Sequence, residues 1–234
     1  MNPRKEETQK RFDADAKAYE ERIIKHVNGY LDLHLSIMNM IPFKPDQAFK
    51  VLDLGIGSGR LAKQILEKYP KARLTAVDFS DKMIAMCRSR LAEFSDRIEL
   101  LNEDFDNNLP PGKFDLVIMI LSLHHLEDPD KASMIKLIHK NLNKPGALLI
   151  GDLTKSAYPR ITKIYMDLWR QNLRDNGYDD GHIENCYREK YQKEDIPATL
   201  EDQLQWLKAA KFDQIEVFWK RYHFVGFGGF KGIK

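Results

Sequence analysis

The sequence predicts an α/β domain built on a doubly wound, mostly parallel sheet. Between Phe49 and Leu153, short apolar segments of strand length alternate with amphipathic segments of helical periodicity. The segment 116–123 is almost continuously apolar, which is typical of a central parallel strand covered by helices on both faces. The 234 residues are enough for one such domain with a helical cap.

The elements are predicted in chain order from this alternation. The first 45 residues are predicted to be helical, because apolar residues recur there at helical spacing until Pro42 and Pro45. Strands are then predicted at 50–55, 73–79, 97–105, 114–123 and 147–153, with helices at 60–69, 80–94 and 130–146. Ser80 is the predicted N-cap of the second of these helices.

The alternation stops after Leu153. Residues 154–197 contain two or three helical pieces rich in Tyr, Trp and Arg, which we expect to lie over the carboxyl edge of the sheet. A helix from Thr199 follows, with Asp202 at the spacing of a capping box. The chain closes with a predicted antiparallel hairpin, turning near Lys220 and Arg221, which brings the sheet to seven strands.

Composition excludes several classes of function. A net charge of +2 and a pI near 8.3 do not suggest a nucleic-acid-binding protein. The N-terminus is charged throughout, so we predict no signal peptide, and the longest apolar run is too short to span a bilayer. Cys87 and Cys186 form neither a disulfide framework nor a metal-ligand spacing. These features predict a cytoplasmic protein without a membrane partner.

A glycine-rich turn follows the first predicted strand, in "VLDLGIGSGR" at 51–60. Gly55, Gly57 and Gly59 form a G-x-G-x-G pattern, which lets a ligand lie against the backbone where the strand ends and the helix begins. The turn lacks the Lys-Ser/Thr pair with which a P-loop holds phosphates. It therefore predicts a nucleotide-type ligand that is not held as in a P-loop.

Carboxylates near this turn narrow the choice of ligand. Asp53 precedes the first glycine by two residues and favours a ligand with positive charge, such as a sulfonium or an ammonium group. Asp78 lies about 20 residues beyond the turn, where an acidic side chain can accept both ribose hydroxyls. Asp104 is placed to accept the exocyclic amine of adenine, with Phe105 or Phe79 beside the ring. Adenine, ribose and a cationic tail together describe S-adenosylmethionine.

The motifs "VLDLGIGSG", "AVDFS", "NEDF" and "LSLHHLED" resemble those of class I S-adenosylmethionine-dependent methyltransferases, in order and spacing, across residues 49–153. "RFDADAKAY" resembles the N-terminal entry segment of the small-molecule branch, and "RIIKHVNGY" is similar to a segment of carboxy-S-adenosylmethionine synthases. The resemblance implies a Rossmann-like fold, S-adenosylmethionine as cofactor and S-adenosylhomocysteine as product. It adds Tyr19 and Tyr30 to the expected cofactor contacts. The predicted cofactor-binding residues are Tyr19, Tyr30, Asp53, Gly55, Gly57, Gly59, Asp78, Phe79, Asp104, Phe105 and Leu121.

The changes of pattern along the chain also predict how the single domain of residues 1–234 is divided. The parts are an N-terminal helical lid at 1–45, a cofactor-binding core at 49–153, a helical cap insertion at 154–197, and a closing helix and hairpin at 198–234. We expect the lid and the cap to close over a compact acceptor.

The catalytic residue is left unassigned by the sequence. His124 and His125 follow the fourth predicted strand and face the crevice where such sheets bind ligands, so a neutral imidazole there can take a proton from an acceptor. In the family this histidine motif occurs with unrelated acceptors, which favours a shared positional role. A metal site made by these histidines with Asp128 is not expected, since adjacent histidines usually point apart.

The predicted function is S-adenosylmethionine-dependent methyl transfer to a small molecule, by a monomer or a homodimer. The expected acceptor is an acid or an amphipathic aromatic compound, with arginines of the cap as candidate carboxylate partners: Arg160, Arg170, Arg174 and Arg188. Two alternatives stay open. One is a synthase that makes a carboxymethyl sulfonium from the same cofactor, and the other is a non-catalytic module that binds the cofactor.

Overall fold

A seven-stranded sheet forms the centre of the protein. The computed structural model describes residues 19–106 and 108–233. The strands are β1 (Lys50–Leu54), β2 (Arg73–Asp78), β3 (Ile98–Asn102), β4 (Phe114–Ile120), β5 (Leu142–Leu153), β6 (Gln214–Arg221) and β7 (Phe224–Lys231). Their order is β3-β2-β1-β4-β5-β7-β6. Strands β1 to β5 are parallel, and β7 runs antiparallel to both β5 and β6, which confirms the predicted sheet and its C-terminal hairpin.

Helices cover both faces of this sheet. They are α1 (Tyr19–His26), α2 (Tyr30–Met40), α3 (Arg60–Lys68), α4 (Asp81–Arg90), α5 (Asp128–Asn141), α6 (Pro159–Asp175), α7 (Asp180–Cys186) and α8 (Leu200–Ala209). Short 3₁₀ turns lie at Ala92–Phe94 and Leu123–His125, and a π-helical segment at Tyr187–Glu194 follows α7. Within the described part of the chain, none of these helices has both the length and the apolar character that crossing a bilayer requires.

Two apolar clusters explain why β4 is apolar on both faces. Ile118 packs in the cluster formed with residues of α2, α3 and α4, whereas its neighbours Val117 and Met119 pack in the cluster formed with α5 and α8. All three side chains are fully buried. Successive residues of a strand point to opposite faces, so a sheet covered on both sides needs apolar residues at every position of its central strand.

Two helix caps are confirmed by hydrogen bonds. The Ser80 hydroxyl accepts a hydrogen bond from the Met83 backbone N–H at the start of α4. At the start of α8, the Thr199 hydroxyl accepts from the Asp202 backbone N–H at 3.1 Å and donates to the Asp202 carboxylate at 2.6 Å. Each cap satisfies a backbone donor that has no partner inside its helix.

Several local predictions are wrong. The helix predicted at 130–146 ends at Asn141, and β5 already begins at Leu142. The N-terminal segment is not one continuous helix, because Gly29 has a φ of 76° and separates α1 from α2. The C-terminal hairpin turns at Tyr222 and His223, two residues later than predicted. Residues 1–18, which include most of the predicted entry segment, lie outside the described residues.

The helices beyond β5 pack against α1 and the end of the sheet. The Trp169 indole N–H in α6 donates to the His26 carbonyl at 2.9 Å, and the Asn172 side-chain amide donates to the Lys25 carbonyl at 2.7 Å. Trp169 belongs to an apolar cluster with Val27 and with Leu153 at the end of β5. These contacts place α1 and α6 together above the carboxyl edge of the sheet.

Candidate active site

The glycine turn connects β1 to α3 with three residues in the left-handed region. Gly55, Gly57 and Gly59 have φ values of 83°, 56° and 73°, a conformation that glycine adopts without steric cost. A Cβ atom on Gly55 would lie 2.6 Å from the Cβ atom of Ser122, so the turns after β1 and β4 approach closely. A Cβ on Gly57 would lie 3.8 Å from the Tyr19 hydroxyl, an ordinary contact distance, so this glycine is less crowded than Gly55 among the described residues.

The buried carboxylate of Asp78 holds this turn in place. One of its oxygens accepts a hydrogen bond from the Gly57 N–H at 2.9 Å, and the other accepts from the Ser80 N–H at 3.0 Å. Beneath the turn, the Cys87 thiol donates to the Gly57 carbonyl. The end of β2 therefore fixes both the glycine turn and the start of α4.

Three clefts open along the carboxyl edge of the sheet. The β2 cleft lies at the ends of β1, β2 and β4 and extends to the segment after β3, with a volume of about 710 Å³ that includes its open mouth. The α2 cleft, about 370 Å³, lies between α2 and the glycine turn. The cap cleft, about 600 Å³, lies between α1, α6 and the end of β5.

The three clefts meet at two residues. Tyr19 and Leu121 line all of them. Leu121 follows β4 and has a φ of 51°, while its N–H donates to the Gly151 carbonyl at 2.8 Å. A leucine in the left-handed region is strained, and such residues occur frequently at functional sites. The backbone of Leu121 is thus held in place at the sheet edge where the clefts meet.

Ten of the eleven predicted cofactor-binding residues line at least one of these clefts. The β2 cleft has Tyr19, Gly55, Gly57, Asp78, Phe79, Asp104, Phe105 and Leu121, and the α2 cleft adds Tyr30 and Asp53. Gly59 lines none of the three. A Cβ on Gly59 would lie 3.0 Å from the Cys87 sulfur, so this glycine permits α3 to pack against α4.

Burial controls protonation in the α2 cleft. Burial, together with the nearby charge of Asp78, raises the pKa of Asp53 to about 7. Burial lowers the pKa of His34 to about 4, and the positive charge of Arg60 acts in the same direction. His34 is therefore neutral at physiological pH, whereas Asp53 is poised between its neutral and charged forms. A cation bound beside Asp53 would favour the carboxylate.

His124 is held between two carboxylates. Its ring Nδ1 lies 2.5 Å from Asp152 Oδ1, its backbone N–H donates to Asp152 Oδ2 at 2.8 Å, and its Nε2 lies 3.5 Å from Asp195 Oδ1. Burial acts to lower the pKa of His124, but the charges of Asp152 and Asp195 outweigh it and raise this pKa to about 9. A pKa of about 9 favours the protonated form of His124 at pH 7, which does not favour the role of proton acceptor considered for it from the sequence. His125 lines both the β2 cleft and the cap cleft.

An ion-pair group attaches α1 to the glycine turn and α4. Glu20 accepts from Arg60 at 2.7 Å and from Arg90 at 2.9 Å, and Arg90 also donates to the Ser58 carbonyl at 2.9 Å. Burial acts to raise the pKa of Glu20, but the hydrogen bonds from Arg90 and Arg60 lower it overall. The charged form of Glu20 thus holds α1 over the clefts.

The four arginines proposed from the sequence line none of the three clefts. Arg170 lies over the Tyr187 ring at 4.3 Å, and Arg174 donates to Asp180 at 2.8 Å. Arg160 and Arg188 are exposed. Among the described residues, the arginine that lines the cap cleft is Arg22.

Two carboxylates that contact His124 were not found from the sequence. Asp152 could have been predicted from the sequence, because it lies at the end of the strand after β4. Neighbouring parallel strands bring their carboxyl ends together. Asp195 had no such signal, since it lies in an irregular segment 71 positions after His124 in the chain. Only the folded cap brings Asp195 to the histidines.

Comparisons with known proteins support a methyltransferase assignment. Residues 51–146 match the family model described as a methyltransferase domain. The carboxy-S-adenosyl-L-methionine synthase of Nautilia profundicola is 26% identical over 228 residues, covering 96% of each chain. The malonyl-[acyl-carrier protein] O-methyltransferase of Priestia megaterium is 26% identical over 161 residues, which are 67% of this chain and 54% of that protein.

Solved structures show the same fold. PigF with S-adenosylhomocysteine superposes with a TM-score of 0.64 at 17% identity, over 93% of this chain and 59% of that one. Human N-acetylserotonin methyltransferase in complex with S-adenosylmethionine superposes with a TM-score of 0.57 at 19% sequence identity, over 86% of this chain and 52% of that one. This chain therefore spans a little over half the length of both structures. Residues 51–146 therefore match the methyltransferase domain family, and the sheet order together with the solved structures shows a Rossmann-like fold.

Proposed function

We propose that this protein is an S-adenosylmethionine-dependent methyltransferase that acts on a small-molecule acceptor. The convergence of the three clefts at Tyr19 and Leu121 supports this function most directly. Methyl transfer requires a cofactor site and an acceptor site that open onto one point, because the two reacting atoms must be held in line.

The β2 cleft fits the adenosine part of the cofactor. Asp78, at the end of β2, is placed to accept the ribose hydroxyls, and Asp104 is placed to accept the adenine amine. Phe79 and Phe105 supply ring faces for the base in the same cleft. The cleft thereby offers acceptors for the polar edges of the nucleoside and apolar contacts for its faces.

The α2 cleft fits the amino-acid end of the cofactor. That end carries an ammonium group and a carboxylate, for which the cleft offers Asp53 and Arg60. Its sulfur is then placed near Leu121, where the cleft meets the cap cleft. The negative charge of an ionised Asp53 also stabilises the cationic cofactor relative to its neutral-sulfur product.

The cap cleft is left for the acceptor. Trp169 and Phe224 give it apolar walls, and Arg22 and His125 give it polar groups. In the transfer, a lone pair of the acceptor forms a bond to the methyl carbon while the carbon–sulfur bond breaks. The electron pair of that bond returns to sulfur, which becomes a neutral thioether. The protein contributes alignment and the exclusion of water, for which α1 is already in place.

The test is product formation from cofactor labelled in its methyl group. The protein is incubated with labelled S-adenosylmethionine and a metabolite library, and mass spectrometry follows S-adenosylhomocysteine and labelled products. We expect a labelled small molecule, and a large loss of product with the Asp78→Ala variant. Label transferred only to bulk tRNA, or no S-adenosylhomocysteine despite cofactor binding, would contradict the proposal.

A second candidate function is the synthesis of a carboxymethyl sulfonium from S-adenosylmethionine and a second metabolite. It is favoured by one observation, the 96% coverage of both chains in the match to a carboxy-S-adenosyl-L-methionine synthase. Such a product needs a cation for its new carboxylate, and Arg22 lines the cap cleft. Mass spectrometry of the nucleotide that copurifies with the protein separates the two functions, because in the synthase product a carboxyl group replaces one methyl hydrogen, which adds the mass of CO₂ to the cofactor.

A further inference from the structure

We propose that His124, His125 and Asp195 form a binding site for a divalent transition-metal ion, at the wall between the β2 cleft and the cap cleft. Each residue offers one ligand atom, and these atoms lie within 4.8 Å of one another. Asp195 Oδ1 is 3.5 Å from His124 Nε2 and 3.9 Å from His125 Nδ1. Small rotations of the side chains bring such atoms to the ligand separations of a metal whose bonds are about 2.0–2.2 Å.

The third ligand differs from the one considered in the sequence. Asp128 lies at the start of α5, and its carboxylate accepts from the buried Lys131 ammonium at 2.7 Å. Asp195 is the third ligand instead of Asp128, because the segment that follows the π-helical residues passes over the histidines. The Ile196 N–H donates to the His124 carbonyl at 2.9 Å, which fixes this segment against the 3₁₀ turn.

The surroundings of His124 match those of a metal-ligating histidine. Asp152 binds both the ring Nδ1 and the backbone N–H of His124, which leaves Nε2 directed at Asp195. A histidine ligand commonly donates its other ring N–H to a carboxylate in this way, which fixes its orientation and increases its basicity. The second coordination sphere is therefore already built.

Charge also favours a cation at this place. Asp152 and Asp195 are nearly fully buried, with side chains that are 1% and 7% exposed. Both carboxylates face the His124 imidazole, so a cation bound there would lie beside two buried groups of opposite charge.

The donor set indicates the class of metal and of ligand. Two imidazoles and one carboxylate suit Zn²⁺, Co²⁺, Mn²⁺ or Fe²⁺ and leave coordination positions open. His124, His125 and Asp195 line the cap cleft, so these positions are accessible to an acceptor with oxygen donors. The binding of an acceptor to the metal rests on the proposed methyl transfer, whereas the binding of the metal to the protein does not.

A second cluster provides a matched control. His26, His182 and Cys186 also bring three ligand atoms together, between α1 and α7. The His182 ring, however, is stacked on Tyr178 with 4.4 Å between centroids, and its Nε2 lies 3.3 Å from the Cys186 sulfur. Neither His182 nor Cys186 lines one of the three clefts.

The experiment uses the full chain after treatment with a chelator, titrated with Co²⁺ alone. Visible absorption and calorimetry report binding, and circular dichroism checks that each variant is folded. We expect one Co²⁺ to bind the wild type and the double variant His182→Gln, Cys186→Ser. In Asp195→Asn and in His125→Gln, the affinity should fall by about tenfold or more.

Two outcomes would overturn the metal site. One is no Co²⁺ binding by the folded wild type, and the other is binding that is lost in the His182→Gln, Cys186→Ser variant but retained in Asp195→Asn. Calorimetry with S-adenosylhomocysteine on the same samples separates this failure from that of the proposed function. Nucleotide binding without Co²⁺ binding rejects only the metal site, and Co²⁺ binding without nucleotide binding rejects only the proposed function.

Discussion

Replacing Asp53 with Asn removes a carboxyl group that is buried and whose pKa lies far above its ordinary value. Burial and the charge of Asp78 raise this pKa from 3.8 to about 7. The folded protein therefore keeps the proton on Asp53 over a pH range in which the unfolded chain has lost it. Asn is nearly isosteric with the neutral acid, so the variant preserves the packing and removes the titration.

The sign of the effect on stability follows from proton binding. A group whose pKa is higher in the folded state gives its full stabilisation below the unfolded value, and loses it as pH rises through the folded value. The difference between the unfolded pKa of 3.8 and the folded pKa of about 7 corresponds to about 4 kcal/mol in the free energy of unfolding. Because Asp53 and Asp78 are coupled and the site can relax, we expect about 2–4 kcal/mol.

The assay is urea unfolding of the wild type and Asp53→Asn at several pH values from 4 to 8. The difference in the free energy of unfolding between the two proteins cancels the other titrating groups. We expect this difference to change by about 2–4 kcal/mol in favour of the variant as pH rises from 4 to 8. Affinity for S-adenosylmethionine should rise through pH 7 in the wild type and stay flat in the variant.

Parallel curves of stability against pH would refute this reasoning. They would show that Asp53 titrates in the folded protein as it does in the unfolded chain. If Asp53→Asn also bound S-adenosylmethionine as well as the wild type at pH 8, the electrostatic reason for a cationic ligand would be wrong.

Three further predictions concern the same region. Asp78→Ala should weaken S-adenosylhomocysteine binding by about 1–3 kcal/mol in calorimetry, through lost hydrogen bonds to the ribose; unchanged affinity in a folded variant would remove Asp78 from the site. Gly57→Ala should lower the free energy of unfolding by about 1–2 kcal/mol, because the φ of Gly57 is 56°. Gly55→Ala should lower it by more, because the added Cβ atom would also lie 2.6 Å from the Cβ atom of Ser122. Equal losses of stability in urea unfolding would contradict this. Trp169→Phe should lower the free energy of unfolding by about 1–3 kcal/mol, because it leaves the His26 carbonyl without its indole donor. The variant should also increase hydrogen exchange in α1. Unchanged exchange would argue against this contact as the one that holds α1 in place.

Local patterns predicted the parts of the fold that depend on neighbouring residues. The burial of β4 on both faces, the turn at Gly55 to Gly59 and the cap at Ser80 each follow from a few consecutive side chains. Such features need no knowledge of the rest of the chain. The carboxylates at strand ends were also predictable, because parallel strands bring their carboxyl ends to one edge.

Features that depend on distant contacts were missed. The break at Gly29 occurs within a regular apolar pattern, where the glycine lies close to Trp219 and Arg221 from the far end of the chain. Asp195 reaches His124 only because the cap folds back over the sheet edge. The cap arginines have the composition of a carboxylate site but are directed elsewhere, and no periodicity reveals that direction.

The structure of this protein with S-adenosylhomocysteine tests its central assignment most directly. The predicted complex has the adenine in the β2 cleft beside Phe105, the ribose hydroxyls on Asp78, the amino-acid end beside Asp53, and the sulfur next to Leu121 where the cap cleft opens. A nucleotide bound outside the β2 cleft, or one whose sulfur faces away from Leu121 and the cap cleft, would contradict it.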